Sequence, residues 1–325
     1  MEKVMSRKLI TISTIMTLMS TSVIADVPNV AADIAPIHSL VSRVMDGVGA
    51  PKLIVQSGAS PHGYRLRPSE AKALQDADHV FWMGEELTPW LDSAIGTLAS
   101  KASVTTLLDQ QGVILHDFRE GALFEAHDHS AHGDDDHDDH DDHDDHKDHD
   151  DHDDHGSHDP HAWLSPENAK LWLNIIASKL SVSDPENAAT YFMNAAAGQA
   201  EIEAMIAEVK ATLKPVQGGK FVVFHDAYQY FENDFDFYAS GAISLGDSSD
   251  PSPARIEKVQ KRIRDEGIQC VLAEPQFKKG LVATVMEGSD ATASVIDPLG
   301  AELETGPKLY TRLIKNMAKT LRNCL

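Results

Sequence analysis

Cysteine is nearly absent: the chain has only Cys270 and Cys324, and neither lies near the N-terminus. That argues against a lipid anchor on a cysteine behind a leader. It also argues against a zinc site built from the pair, because Cys324 stands one residue from the chain end. Positive charge is scarce too, with 28 Lys and Arg against 51 Asp and Glu and a net charge of −23. Such a surface repels nucleic acid and anionic lipid and attracts cations. Past the N-terminal residues, no apolar stretch approaches the length needed to cross a bilayer. There is no His-Glu-x-x-His helix of the kind zinc proteases carry.

Residues 1–25 read as a secretory signal and not as part of the fold. Lys3, Arg7 and Lys8 make a basic start, residues 9–18 are moderately apolar, and Val23-Ile24-Ala25 offers small residues for cleavage before Asp26. The expected mature chain, from Asp26 to Leu325, is a soluble periplasmic protein near the size at which chains split into two domains. In an exported chain an even cysteine pair suggests one disulfide, here tying a C-terminal helix to a strand. Two free buried thiols are the alternative.

Histidine and aspartate, in contrast, are abundant in one place. Residues 127–158 hold His127, His129, His132, His137, His140, His143, His146, His149, His152, His155 and His158. Sixteen aspartates fall between Asp128 and Asp159, with Lys147 the one positive charge, so the tract supplies −15 of the net charge. Almost nothing in it is apolar, which predicts a disordered loop. Imidazole and carboxylate are nevertheless the side chains that bind borderline divalent metals such as zinc. The tract is either a solvated charge run or an auxiliary, low-affinity zinc collector or sensor. Protons compete with metal for imidazole, so its binding should fade below about pH 6.5.

Either side of the tract, short apolar runs alternate with helical patterns, which argues for β-α units and parallel sheets. Strands are expected at 30–34, 53–55, 79–83, 104–108 and 113–115, with helices from Pro36, over 69–77 and over 85–99. Ser165-Pro166-Glu167 caps a helix to about Leu180. Asp184-Pro185-Glu186 opens another that runs to about Leu213, roughly 42 Å at 1.5 Å per residue. That length suits a spine between two lobes. The rhythm restarts with strands at 221–224, 242–245, 270–273 and 294–296 and helices from Ser252, Lys279 and Pro307. The expected α/β fold is therefore two Rossmann-like lobes, 26–183 and 216–325, joined by a helix within 184–215.

Three histidines end or follow apolar runs at loops: His62 in Ser60-Pro61-His62-Gly63-Tyr64, His161 in Asp159-Pro160-His161-Ala162-Trp163, and His225 after 221–224. Asp297 ends the 294–296 strand. Ligands in open α/β sheets sit beyond the carboxyl ends of strands, so these four side chains are candidates to converge between the lobes. Three imidazoles with a carboxylate or a water suit zinc, and they disfavour calcium and magnesium, which want oxygen. The spacings alone, 99, 64 and 72 residues, are no motif. His38, His79 and His116 read as ordinary core or loop residues.

Together, Ser60-Pro61-His62-Gly63-Tyr64, Asp159-Pro160-His161-Ala162-Trp163-Leu164-Ser165-Pro166, Phe224-His225-Asp226-Ala227-Tyr228-Gln229-Tyr230-Phe231, Glu274-Pro275-Gln276-Phe277 and Asp297-Pro298-Leu299-Gly300 resemble segments of the periplasmic zinc-binding proteins of zinc ABC transporters. The resemblance covers essentially the whole mature chain, including the His/Asp insert. It implies two α/β lobes on one long helix, Zn²⁺ as transported ligand on His62, His161 and His225, and docking of the loaded protein on a membrane permease. Manganese-selective relatives carry a carboxylate where this chain has His225. Some relatives place a Glu just before the first histidine, where this chain has Pro61, so Asp297, ahead of water, is the expected fourth ligand. The chain should be a monomer that neither binds nucleic acid nor inserts in the membrane. The rival readings are a zinc-dependent hydrolase, with Glu274 as base, and a metal buffer or store working through the tract alone.

Overall fold

The computed structural model describes residues 27–119, 124, 158–244, 251–276 and 279–325. The expected signal and the tract histidines from His127 to His155 lie outside the described residues.

Two four-stranded parallel sheets organise the chain. The first contains β1 (Val30–Ala32), β2 (Lys52–Leu53), β3 (His79–Trp82) and β4 (Ser103–Thr106) in the order β2-β1-β3-β4. The second contains β5 (Phe221–His225), β6 (Ala242–Ser244), β7 (Cys270–Ala273) and β8 (Thr292–Val295) in the order β6-β5-β7-β8. β1, β3 and β5 are buried along their whole length and β7 nearly so, as expected for parallel strands covered on both faces.

On its outer face the first sheet packs Ile54, Val80 and Trp82 against α2 (Pro68–Gln75) and α3 (Pro89–Leu98). The outer face of the second packs Val222, Ile243 and Val271 against α7 (Pro253–Glu266) and α8 (Lys279–Met286). The inner faces share a single apolar core, which also takes in α1 (Ala35–Val44), α4 (Pro166–Ser183), α5 (Ala188–Leu213), α6 (Gln229–Phe235) and α9 (Leu309–Cys324).

The expected spine is α5, 26 residues long. It buries Tyr191, Ala195, Gly198, Ile202, Met205, Val209 and Leu213, a three-and-four spacing that lines one face of a helix. That face packs against α1 and α4 of the first half and α9 of the second. Gly198, weak by helix propensity, is what allows the close approach. A Cβ there would sit 2.9 Å from Leu173 Cδ1 and 3.1 Å from Arg43 Cγ. The disulfide joins Cys270 on β7 to Cys324 at the end of α9, with 5.6 Å between Cα atoms.

Two local expectations change. Residues 113–115 form no strand, because the Asn168 side chain takes both backbone groups of Ile114, at 2.8 and 3.0 Å, in place of a neighbouring strand. The helix expected from residue 85 starts instead at Pro89. A residue before proline is pushed from helical to extended backbone, and proline itself suits the first helical position.

Asp33, at the end of β1, is fully buried and accepts the backbone N–H groups of Ile34 and Met83, each at 2.7 Å. Burial outweighs these bonds and pushes its pKa from 3.8 up to about 7. A raised acid holds its proton in the fold and loses it when unfolded. Its contribution is therefore complete below pH 3.8 and is lost as pH climbs through about 7. Urea midpoints of the parent should accordingly fall between pH 5 and pH 8, by up to about 1.4 kcal/mol per pH unit from this group, and Asp33→Asn should flatten that slope. Separately, the double variant C270S/C324S should lose about 2–4 kcal/mol of unfolding free energy in the same titrations.

Candidate metal centre

Each candidate histidine is held by a different piece of the fold. His62 lies in the loop after β2, pinned by Trp90, whose Nε1 donates to the Pro61 carbonyl at 2.7 Å. Tyr64 packs on the same indole with ring centroids 5.7 Å apart and donates to Glu70 at 2.7 Å. Glu70 in turn accepts the Arg67 N–H at 2.7 Å and starts α2 behind Pro68. His161 precedes a single 3-10 turn, Ala162–Leu164, and Ser165 then caps α4 by accepting the Asn168 N–H. His225 is the last residue of β5.

These segments bring the three rings together. The centroids are 5.6 Å apart for His62 and His161, 6.1 Å for His62 and His225, and 4.8 Å for His161 and His225. One ligand-capable nitrogen from each ring lies within 4.8 Å of the others. Nitrogens on one tetrahedral zinc stand about 3.4 Å apart, given Zn–N near 2.0–2.1 Å. His161 and His225 are buried and His62 is half-buried.

A carboxylate sits behind two of the rings. Asp159 Oδ1 lies 2.6 Å from Nδ1 of His161 and also accepts that residue's backbone N–H at 3.0 Å. Glu274 Oε1 lies 3.1 Å from Nδ1 of His225. The second pairing follows from strand register. β5 and β7 are adjacent and parallel with Val223 opposite Leu272, so His225 and Glu274, each two residues further on, finish side by side. A carboxylate on Nδ1 fixes the tautomer with its proton there and leaves the Nε2 lone pair for a metal. His161 Nε2 is buried with no hydrogen-bond partner among the described residues. Burial, then the Glu274 charge, pushes the nearby Tyr228 hydroxyl well above its usual pKa, so it stays protonated.

Asp297 is not part of the three-ring group. Its carboxylate accepts the backbone N–H groups of Leu299, Gly300 and Ala301 at 3.0, 2.8 and 2.6 Å. Of the tract histidines only His158 is described. It is half-exposed, bridges to Asp117 and places Nδ1 2.8 Å from that carboxylate. Sequence reasoning assigned no role to Asp159 and considered Glu274 only as a base. The signals were present: Asp159 stands two residues before His161, and Glu274 directly follows β7 while His225 ends β5.

The family model described as zinc-uptake complex component A, periplasmic, matches residues 30–324. The chain is 48% identical over 304 residues to the high-affinity zinc uptake system protein ZnuA of Brucella abortus, covering 91% of each protein. It is 43% identical over 302 residues to the protein of that name from Paracoccus denitrificans, covering 93% of each. A crystal structure of ZnuA superposes with a TM-score of 0.70 at 21% identity, over 91% of this chain and all of the other, a likeness of fold.

If the carboxylates serve to orient the rings, Asp159→Asn and Glu274→Gln should each weaken zinc binding about 10–100-fold, read by competition with a chromophoric chelator. The melting temperature of the metal-free protein should move little beside that loss.

Proposed function

Since the chain belongs to the periplasmic zinc-uptake component A family, we propose that it holds one zinc ion between His62, His161 and His225 and releases it to the membrane permease of an ABC importer. Zinc is its cargo, and the chain is a transport component rather than an enzyme. The observation that carries the assignment is the convergence of three imidazoles from separate loops, two of them backed by carboxylates. Nitrogen donors of this kind select zinc over calcium and magnesium. The three backbone bonds of Asp297 support giving the fourth position to water. We take 26–183 and 216–325 as the lobes and 184–215 as the link, a division supported by the two separate sheets. Export to the periplasm as a monomer, with no nucleic-acid partner, fits the leader and the acidic surface. Among the described residues no helix is long and apolar enough to cross a membrane.

The tract is assigned a collecting role: it binds several zinc ions weakly and raises their concentration beside the site. Support comes from its composition and from its end, where His158 precedes His161 by three residues. Zinc calorimetry on three proteins tests both parts. The full chain should show one tight site and several weak ones, and deletion of 127–157 should remove only the weak ones. Adding His225→Ala should then weaken the tight site at least about 100-fold. Tight binding that persists in the His225→Ala variant sinks the site, and an unchanged ion count after deletion sinks the collecting role.

A further inference from the structure

Arg119 makes the most heavily paired charge network beside the site. It is the last described residue before 120–123, ahead of the tract, and its side chain is mostly buried at 16% exposure. Its Nε donates to Asp226 Oδ1 and Oδ2 at 3.0 and 3.2 Å, and its Nη2 makes a further short contact to Oδ1. The other edge of the guanidinium reaches Glu232 on α6, with Nη1 2.6 Å from Oε2 and Nη2 3.3 Å from Oε1. The Phe124 ring covers the guanidinium plane at 3.6 Å. Both carboxylates are buried. Burial works against the charge on Arg119, and Glu232 and Asp226 outweigh it, so the guanidinium is held more firmly protonated than usual.

Asp226 directly follows His225 beyond the end of β5 and is buried. A carboxylate in that place, if unengaged, is a ready oxygen ligand for any divalent cation at the three rings. Every other buried or half-buried carboxylate named around the rings already has an occupant: Asp159 serves His161, Glu274 serves His225, and Asp297 serves a turn. Stability alone is a weak reason for a buried ionic trio, because apolar side chains of similar volume commonly serve as well. Arginine's fixed fork matches a carboxylate edge in a way that lysine's point charge does not.

We propose that Arg119 is a positioning residue for metal choice: its guanidinium holds the Asp226 carboxylate away from the three imidazoles and keeps that oxygen out of the ligand set. The selectivity for nitrogen-preferring zinc over oxygen-preferring manganese then depends on a side chain that touches no metal. This inference rests on the three-histidine site described above.

The test uses the full chain with Zn²⁺ and Mn²⁺ added singly, and Co²⁺ as a spectroscopic probe. In R119M, freeing Asp226 should shift the ratio of manganese to zinc dissociation constants at least about tenfold toward manganese. The visible absorption of the Co²⁺ complex should weaken as an added oxygen raises the coordination number. The double variant R119M/D226N should restore both readouts, which a merely structural role for Arg119 would not do. An unchanged ratio and cobalt spectrum in R119M, or a shift that survives in the double variant, overturns the proposal. If R119M does not fold, R119K replaces it: a shift in the same direction supports the idea and an unchanged ratio ends it. A parent protein that keeps its zinc after His225→Ala would instead defeat the three-histidine reading, a separate failure.

Discussion

Everything at the centre depends on holding three imidazoles with their lone pairs aimed at one point. Rings left to themselves would turn or find other partners. Asp159 and Glu274 prevent this for two of them by occupying Nδ1. Each is delivered by short-range geometry. Asp159 reaches back across one proline to His161 and its backbone, while Glu274 is carried beside His225 by the register of two neighbouring parallel strands. The sheet's central strand pair is therefore also the device that orients a ligand. The apolar runs of β5 and β7 secure that register, so core packing and metal geometry are one constraint.

His161 is held from both halves of the chain. By chain order it belongs to the first half, yet the segment around it is stitched to the second. Tyr230 donates to the Asp159 carbonyl at 2.7 Å, Ser165 to Asp234 at 2.7 Å, Trp163 to the Pro298 carbonyl at 2.8 Å, and Tyr310 to the Trp163 carbonyl at 2.9 Å. His161 and His225 thus form a buried pair fixed against α6 and the second sheet. His62 arrives on a separate loop pinned by Trp90, and it is the half-exposed ring of the three.

The fold was legible because it is written in periodicity. Short β-rich runs ending in loops, Pro and Ser at helix starts, and one long uninterrupted helical stretch led directly to β1–β8, α4 and α5. One failure arose where side-chain chemistry overrode local pattern. Residues 113–115 look like a strand, but Asn168, 54 positions away from Ile114, satisfies the backbone instead. The three histidines that the structure brings together could be singled out because each sits in a loop within a family-like segment. The structure leaves Asp297 outside the three-ring group. An Asp before Pro-Leu-Gly at a strand end looks like a ligand in one dimension, whereas in three its oxygens face consecutive backbone N–H groups of the turn it begins. Arg119 gave no signal at all, since a lone basic residue before an acidic run carries no periodicity and its partners lie more than 100 positions away.

The tract and the three-ring group offer a cation different chemistry. The tract between Asp128 and Asp159 carries sixteen aspartates against one lysine, and such a field draws in any cation within a screening length of about 8–10 Å. It cannot tell zinc from magnesium by charge alone, since the two ions carry the same charge. Discrimination needs donors whose softness differs, and in the proposed site those would be the imidazoles of His62, His161 and His225. The same reasoning makes stray carboxylates near the rings harmful, because each oxygen admitted erodes the preference that nitrogen confers. On the proposed reading, selectivity in a chain so rich in aspartate requires that the carboxylates nearest the rings be engaged elsewhere. Asp159, Glu274, Asp297 and Asp226 are all so occupied, by ring N–H, backbone N–H or guanidinium.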